Sequence, residues 1–358
     1  MHIVYITSFF PPDRIAGAEL ATHFMARYMV SKGHRVDVVI TRPSVPREKE
    51  ERDGYNIHWL EFKQTKGLRF FNEIKAGVKK IEELKPDIVH SNCLLPGGTI
   101  ATKYAKTHPC KSIVLCYGYD VTDMRFPLTI WGKAALKNSH LVMAASEYTS
   151  SKAKKWAPNI NTTIFYAGYD DHVFPLNEKV QTDKIKNCLF IGRLIPEKGL
   201  DLLLEVFENL DESYHLQVIG QGELEKVYKD KCLNSSLKNR VKFLGYVPNE
   251  KLSDVLKKTH ALILPSRREP FGVVCIEAIA SGVPVVCSNV MGLPEAVCDG
   301  ENGIVVNNFE ISSWLSAIQR VCTEEKFRDE IYQKASYYHD KWKWSSRLGE
   351  LENIYQSL

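Results

Sequence analysis

A chain of 358 residues with 44% hydrophobic and 25% charged residues has the balance of a globular protein and is long enough for two domains. Nine cysteines without paired spacing, a CxxC motif or a Cys/His cluster argue against both a disulfide framework and a zinc site. The net charge of +4 is unevenly divided: residues 1–170 contain 24 Lys and Arg against 16 Asp and Glu, and the remainder contains 23 against 27.

Apolar runs typical of buried strands alternate with helical patterns along the chain, which predicts parallel sheets covered by helices on both faces. In the first half the pattern predicts strands at 2–7, 35–41, 56–62, 87–91, 112–117 and 140–145. The helices predicted between them are 17–32, 70–84, 96–107 and 128–137. The composition changes around 162–175 and stays polar up to Lys186, so we expect the first domain to span 1–167.

A second alternating series begins at Asn187. It predicts strands at 187–192, 214–219, 241–244, 260–264 and 284–287, and helices at 199–210, 222–234, 249–258, 271–281 and 325–358. We expect the second domain to span 168–337 and the last helix, 338–358, to pack back on the first domain. The predicted fold class is α/β, with two Rossmann-like doubly wound parallel sheets. Ligands are then expected in a cleft between them, at the carboxyl ends of the strands.

The segment from Glu269 to Glu277 is the most informative for function. It follows an apolar run, 261–264, that predicts a buried strand, and it continues as a helix up to Gly282. One carboxylate is thus expected in the loop before a helix and the other two turns inside it. The free N–H groups of the helix N-terminus lie between them and could bind phosphate. This arrangement predicts a nucleotide sugar as ligand; the alternative is two solvated surface residues.

Two further segments with glycine follow strands of the second half. In the first, Gly192 lets the backbone approach a ligand closely. The planar guanidinium of Arg193 can bind two phosphate oxygens at once, and the ammonium group of Lys198 adds a compact positive charge. Such a pair would neutralise a diphosphate without a metal ion; a loop with two solvated charges is the alternative. The second, Gly220-Gln221-Gly222, lacks the last glycine of the dinucleotide fingerprint because Glu225 occupies that position, which argues against a nicotinamide enzyme.

Polar residues also follow strands of the first half, at the sheet edge where ligands are expected. Gly17 begins the first helix, whose N-terminus could lie against phosphate. His90 ends the fourth predicted strand, and Tyr117 and Asp120 follow the fifth. We predict that His90, Tyr117 and Asp120 lie on the acceptor and sugar side of the site. A core histidine and a turn aspartate are the alternatives.

Together these motifs resemble glycosyltransferase family 4, retaining enzymes of the GT-B fold that use nucleotide sugars. The resemblance covers nearly the whole chain, and two segments are specific to the family: Gly192-Arg193-Leu194…Lys198-Gly199 and Glu269-Pro270-Phe271-Gly272…Glu277. The supporting matches are the Phe-Pro-Pro…Ala16-Gly17-Ala18-Glu19 opening, Lys32-Gly33-His34-Arg35-Val36, Pro86-Asp87-Ile88-Val89-His90 and Ala167-Gly168-Tyr169-Asp170.

The resemblance implies a role for each matching position. Arg193 and Lys198 would hold the donor diphosphate, Glu269 would bind the transferred sugar, and these three would form the catalytic set. Glu277 would bind the ribose and Val247 would flank the base. The remaining donor-binding positions would be Gly17, Gly192, Phe271, Gly272 and Val273. The implied enzyme is a hexosyltransferase that needs neither a metal ion nor a cofactor besides its nucleotide-sugar co-substrate.

Two positions depart from the family pattern. Tyr117 stands where the family usually has a histidine, and Ala16 stands where a glycine is common. A tyrosine hydroxyl can donate a hydrogen bond but cannot carry the charge of an imidazolium. The implied reaction transfers a sugar from UDP or GDP to a hydroxyl acceptor in polysaccharide, glycan or glycolipid synthesis. A nucleotide-sugar 2-epimerase, a phosphorylase and a non-catalytic nucleotide-sugar-binding partner remain as alternatives.

We expect a cytoplasmic protein, because the chain opens with the strand His2–Ile6 rather than a signal peptide and no apolar run approaches 18 residues. The basic first half predicts peripheral contact with an anionic membrane at its inner face, where a lipid-linked acceptor would lie. Nucleic acid is not expected as a partner, since no base-stacking aromatic array or recognition motif accompanies the charge.

Overall fold

The computed structural model describes residues 1–13, 17–44, 49–177 and 184–358. Ala16 of the opening motif and part of the polar stretch before Lys186 lie outside the described residues. The chain divides into two compact units. The N-unit comprises Met1–Ala167 and Ser345–Leu358, and the C-unit comprises Gly168–Trp344.

Over its described residues, the N-unit contains an eight-stranded sheet. Its strands are β1 (His2–Thr7), β2 (Arg35–Ile40), β3 (Glu50–Arg52), β4 (Tyr55–Trp59), β5 (Ile88–Ser91), β6 (Lys111–Cys116), β7 (Leu141–Ala144) and β8 (Thr162–Ile164). The order across the sheet is β3-β4-β2-β1-β5-β6-β7-β8, and only the β3–β4 pair is antiparallel. The chain order reverses between β1 and β5, so their carboxyl ends form the switch point of this sheet.

Helices cover the N-unit sheet. They are α1 (Gly17–Ser31), α2 (Arg69–Leu84), α3 (Thr99–Ala105), α4 (Tyr119–Thr122), α5 (Leu128–Asn138) and α6 (Glu147–Trp156). The helix predicted at 96–107 begins later because Leu94–Gly98 forms a separate turn interrupted by extended backbone at Leu95. The six predicted strands and the other predicted helices are present with ends shifted by up to three residues.

The described part of the C-unit contains a six-stranded sheet, parallel throughout. Its strands are β9 (Lys186–Ile191), β10 (Tyr214–Ile219), β11 (Val241–Gly245), β12 (Ala261–Leu264), β13 (Val285–Ser288) and β14 (Gly303–Val306). The order is β11-β10-β9-β12-β13-β14, the doubly wound arrangement expected from sequence. Here the chain order reverses between β9 and β12.

The C-unit helices pack on both faces of its sheet. They are α7 (Leu200–Glu208), α8 (Glu225–Leu233), α9 (Asn249–Leu256), α10 (Val273–Ala280), α11 (Leu293–Ala296), α12 (Ile311–Thr323) and α13 (Glu325–Trp342), and α14 (Trp344–Gln356) follows. The main core lies between the sheet, α7 and α12, and Phe190, Phe207 and Trp314 are fully buried there.

The return to the N-unit begins at Ser345, not at residue 338 as predicted. The predicted helix 325–358 is two helices, because Lys343 adopts extended backbone between α13 and α14. The end of α13 stays on the C-unit: the rings of Trp342 and Phe271 meet edge to face at 5.6 Å, and His339 Nδ1 lies 3.2 Å from the carbonyl oxygen of Ala280. Buried aromatic contacts therefore hold this helix to the C-unit.

Candidate functional site

The two most informative sequence segments meet at the switch point of the C-unit sheet. One follows β9 and runs from Gly192 to Gly199; the other follows β12 and runs from Pro265 to Gly272. Where the strand order reverses, the following helices lie on opposite faces, and a crevice opens between the two loops. Segments more than 60 residues apart in sequence are thus brought side by side.

The contact between the two loops is tight. Gly199 has a φ of +71°, and a Cβ atom there would lie 2.0 Å from the carbonyl oxygen of Pro265. The amide of Arg267 donates to the carbonyl oxygen of Glu197 at 2.8 Å. The Arg267 guanidinium also binds both carboxylate oxygens of Asp201, at 2.8 and 2.7 Å. The loops therefore form one rigid edge, with a glycine where no side chain fits.

An ion pair spans the crevice. Lys198 ends the single helical turn Pro196–Lys198, and its Nζ pairs with Oε2 of Glu269. These side chains are only 13% and 15% exposed, so solvent screens the pair less than a surface pair. The carbonyl oxygen of Glu269 accepts a hydrogen bond of 3.2 Å from the amide of Gly292. Two of the three predicted catalytic residues are therefore in direct contact.

Arg193, the third predicted catalytic residue, is exposed beside Gly192. Its side chain forms no hydrogen bond or ion pair with the described part of the chain. The backbone around it is fixed instead, since the amide of Leu194 donates to the carbonyl oxygen of Gln221 at 2.9 Å. The guanidinium is consequently available to an anion at the rim of the crevice.

The Gly220-Gln221-Gly222 segment supports this loop. A Cβ atom on Gly220 would lie 1.9 Å from the carbonyl oxygen of Gly192, and one on Gly222 would lie 2.4 Å from that of Leu194. These glycines permit close backbone contact, in keeping with the incomplete dinucleotide fingerprint. Their structural role is to hold the loop that carries Arg193.

The N-terminus of α10 lies on the other side of the crevice. The helix begins at Val273 and not at Phe271 as predicted, because Gly272 has a φ of +87°. The amides of Gly272, Val273 and Val274 form no backbone hydrogen bond among the described residues. Phe271 is buried and packs on Trp342, which anchors this turn. The amides provide a positive helix terminus next to Lys198.

Glu277 lies about one helical turn inside α10, roughly 6 Å from its start, because the helix begins two residues later than predicted. Its side chain is half-buried and forms no ion pair within the described ranges. Burial raises the pKa of this carboxyl from 4.5 to about 8. A half-buried carboxyl group without a cation can accept hydrogen bonds from ligand hydroxyls, and such bonds favour its ionised form.

The raised pKa of Glu277 predicts a specific pH dependence. The folded state binds more protons than the unfolded chain between pH 4.5 and about 8, so this group's contribution to stability falls as the pH rises through that window. Glu277→Gln removes the group. The melting temperature of the variant minus that of wild type should increase from pH 5 to pH 8.5 in calorimetry. A difference that is constant with pH would contradict the assigned environment.

Val247 follows β11, the edge strand of the C-unit sheet, and is half-buried. Two strand spacings of about 4.8 Å separate the end of β11 from that of β9. A ligand with one end near Val247 and the other near Lys198 would thus extend about 10 Å along the sheet edge.

The N-unit residues predicted for the site, Gly17 for the donor and His90, Tyr117 and Asp120 for the acceptor and sugar side, have different environments. Gly17 is exposed at the start of α1. The Tyr117 hydroxyl is buried without a hydrogen-bond partner among the described residues, and burial raises its pKa. Asp120 accepts hydrogen bonds from the amides of Tyr117 (3.2 Å) and Gly118 (2.8 Å). Asp120 therefore closes a turn, which was the structural alternative.

His90 does not line a ligand surface, which corrects the prediction. It is fully buried, and its Nδ1 lies 2.5 Å from the Tyr355 hydroxyl, which in turn lies 3.0 Å from the Tyr5 hydroxyl. Burial lowers the pKa of His90 to about 3, so the imidazole is neutral. The reason is that α14 covers this strand end. His90 anchors the returning C-terminal helix to the N-unit sheet.

Two features are absent from the part of the chain that the structure describes. No group of three or more His, Cys, Asp or Glu side chains is arranged to hold a metal ion there. No helix in these residues has the length and apolarity needed to cross a membrane.

Two family models together match most of the chain. The family described as Glycosyltransferase Family 4 matches residues 15–173, and that described as Glycosyl transferases group 1 matches residues 176–337. The chain belongs to glycosyltransferase family 4. This family-4 chain is 25% identical to an uncharacterised glycosyltransferase of Methanocaldococcus jannaschii over 99% of its own length and 98% of the relative's.

Solved structures show that the glycosyltransferase has the GT-B fold. Sucrose-phosphate synthase from Thermosynechococcus elongatus matches with a TM-score of 0.86 at 19% identity, covering 99% of this chain and 98% of that chain. HepE from Anabaena, in complex with UDP and glucose, matches with a TM-score of 0.81 at 16% identity over 100% of both chains. At these identities the likeness concerns the fold alone.

Sequence reasoning missed the Arg267–Asp201 pair and the contact of α13 with Phe271. Arg267 lies in the loop after β12, where an anion-binding residue would also be expected. The sequence alone therefore does not show whether Arg267 binds a ligand or pairs with Asp201. The aromatic residues of the last helices signalled an anchor, but not which unit they anchor to.

Proposed function

We propose that this glycosyltransferase moves a sugar from UDP or GDP to a hydroxyl acceptor with retention of anomeric configuration. The observation that carries the proposal is the Lys198–Glu269 ion pair at the switch point, beside the free Arg193 and the N-terminus of α10. These groups offer two cations and a row of amides to a diphosphate. They also offer a carboxylate to the hydroxyls next to it.

The diphosphate would lie between Arg193, Lys198 and the first amides of α10. Negative charge grows on the departing phosphate in the transition state, and cations fixed in a crevice stabilise it without reorganisation. These groups would make a metal ion unnecessary. Lys198 is held in place by Glu269, and the tight contact at Gly199 keeps both loops at a fixed separation.

Glu269 would accept hydrogen bonds from the transferred sugar, while Lys198 keeps its carboxylate ionised and oriented. Glu277 would accept hydrogen bonds from the ribose hydroxyls, and these bonds would favour the ionised form of its half-buried carboxyl group. Val247 would flank the base, about 10 Å along the sheet edge. Gly192, Phe271, Gly272 and Val273 would contribute backbone contacts to the donor.

Retention is proposed through attack on the face from which the diphosphate departs. The bond between the anomeric carbon and the diphosphate oxygen breaks, and its electron pair goes to that oxygen. The acceptor oxygen forms the new bond to the anomeric carbon, and its proton passes to the departing phosphate. Glu269, the carboxylate nearest the cations, is engaged by Lys198, which disfavours its use as a covalent nucleophile.

The acceptor is proposed to be a hydroxyl of a glycan, polysaccharide or glycolipid. Tyr117 would contribute its unpaired hydroxyl to the sugar or acceptor, and Gly17 would present the amide end of α1 to the donor. HepE was solved with UDP and glucose, which favours UDP as the nucleotide to test first.

A two-stage experiment tests this function. UDP, GDP, ADP and their glucose conjugates are screened by thermal shift, and we expect the nucleotides of one base to raise the melting temperature. A ligand at 100 times its dissociation constant stabilises the folded state by about 2.7 kcal/mol. The donor that binds is then followed by NMR with and without sugar and lipid acceptors. Conversion that requires an acceptor supports transfer, and conversion of the donor alone indicates an epimerase. Absence of any nucleotide shift contradicts the proposal.

A further inference from the structure

In the described part of the N-unit, five of the six large apolar side chains that are exposed to solvent lie in two short segments. Leu68 and Phe71, at the start of α2, are 53% and 50% exposed. Phe126, Leu128 and Ile130, at the start of α5, are 80%, 41% and 58% exposed. Single exposed apolar residues are ordinary on a protein surface, but five in two adjoining segments form a patch that marks an interaction site.

The two segments belong to one continuous surface. The rings of Phe70 and Phe71 meet that of Trp131 at 5.7 and 5.6 Å, and Nζ of Lys103 from α3 lies 5.5 Å from the Trp131 ring centroid. A shallow groove of about 910 Å³ runs between α2, α3 and α5. Its apolar lining is Phe62, Phe71, Ile74, Val78 and Trp131. We call the groove and the five exposed side chains the α2–α5 surface.

Lysines surround this apolar surface. The groove is lined by five of them against two glutamates: Lys63, Lys75, Lys79, Lys103 and Lys106, with Glu61 and Glu82. Residues 62–81 contain six Lys and Arg and one acid, Glu73, which is already paired with Arg42 at 2.9 Å. Residues 124–137 add three cations and no acid. The surface is therefore both apolar and strongly basic.

The α2–α5 surface adjoins the edge of the sheet where acceptors are expected. Helix α2 follows β4 and α5 follows β6, so the N-terminal ends of both helices start from the carboxyl edge of the N-unit sheet. Tyr117, proposed to meet the sugar or the acceptor, follows β6 at the same edge. A partner that covers the α2–α5 surface would therefore be held close to the acceptor side of this unit.

We propose that the α2–α5 surface docks on an anionic lipid bilayer. Exposed phenylalanine and aliphatic side chains at helix ends can enter the headgroup layer, while the surrounding lysines bind anionic headgroups. Leu68, Leu128 and Ile130 favour a bilayer over nucleic acid as the partner. Nucleic acids are bound by basic side chains and by aromatic side chains that stack on bases, and aliphatic side chains do neither. The acceptor would then be lipid-linked and reach the enzyme from the membrane plane.

The charged part is tested with vesicles of phosphatidylcholine alone or with added phosphatidylglycerol. The full-length protein should cosediment with the anionic vesicles, and the bound fraction should fall as salt rises. Lys79→Gln and Lys103→Gln should each lower the partition constant about fivefold, since one basic residue near an anionic surface contributes about 1 kcal/mol. The matched controls are Lys238→Gln and Lys242→Gln, two exposed C-unit lysines that should leave binding unchanged.

The apolar part is tested by Ile130→Ser against Leu233→Ser. Both residues are 58% exposed, but Leu233 lies in α8 of the C-unit. Ile130→Ser should weaken vesicle binding by several-fold and Leu233→Ser should not. Equal binding to both vesicle compositions, equal effects of the paired variants, or preferred binding to a DNA duplex would overturn the proposal. Vesicle binding is measured without turnover, so its result tests the membrane proposal independently of the proposed donor chemistry.

Discussion

Lys198→Ala should lower the turnover number by about 10²–10³, the effect of removing one group that stabilises developing negative charge. Lys198 is the cation enclosed in the crevice, and its partner Glu269 is only 15% exposed. The substitution therefore removes the charge next to the proposed diphosphate site and leaves Glu269 without its cation. The measurement is steady-state kinetics at saturating donor, alongside the melting temperature.

A second variant separates catalysis from folding. Arg193 is exposed and its side chain forms no hydrogen bond or ion pair with the described part of the chain, so Arg193→Ala should keep the wild-type melting temperature while turnover falls. Lys238→Ala, at an exposed site on the same unit, is the control for loss of a positive charge. Wild-type turnover in either Lys198→Ala or Arg193→Ala would remove that residue from the catalytic set.

Gly199→Ala should both destabilise the C-unit and abolish tight donor binding. The alanine Cβ would lie 2.0 Å from the carbonyl oxygen of Pro265, so the β9 and β12 loops must move apart. Alanine at a positive φ adds a further cost, and we expect the free energy of unfolding of the C-unit to fall by about 3–5 kcal/mol in total. That corresponds to a fall of about 10 °C in melting temperature for a unit of this size. Calorimetry and nucleotide titration measure both effects.

Gly300→Ala is the matched control for Gly199→Ala. Gly300 lies in the same unit with a φ of +76°, but nothing lies within 4 Å of the position its Cβ would take. Only the cost of the left-handed backbone remains, about 1–2 kcal/mol, and nucleotide affinity should be unchanged. If the two variants behave alike, close approach of the two loops is not what shapes the site.

The alternation of strands and helices was readable from the sequence because buried parallel strands are continuous apolar runs. Short edge elements were not readable: β3, β8 and α4 have three or four residues and carry too little pattern. The elements between residues 290 and 324, namely α11, β14 and α12, were also missed. Helix α10 begins at Val273 and not at Phe271 because Gly272 has a left-handed backbone conformation. The spacing of apolar residues in the sequence does not indicate such a conformation.

For the candidate site, sequence motifs named residues that the structure brings together at the C-unit switch point, but not their partners. Lys198 and Glu269 were assigned separate roles, and only the strand order shows that they touch. His90 was misassigned for a related reason. A histidine at a strand end faces ligand or core depending on what covers it, and the covering helix lies 265 residues later in the chain.

We expect the switch point of the C-unit to bind a nucleoside diphosphate. A crystal structure of the protein soaked with UDP tests it most directly. We expect the diphosphate within hydrogen-bond distance of Arg193, Lys198 and the first amides of α10, with the ribose hydroxyls on Glu277. UDP bound elsewhere, or bound here with its phosphates directed away from Lys198, would contradict it.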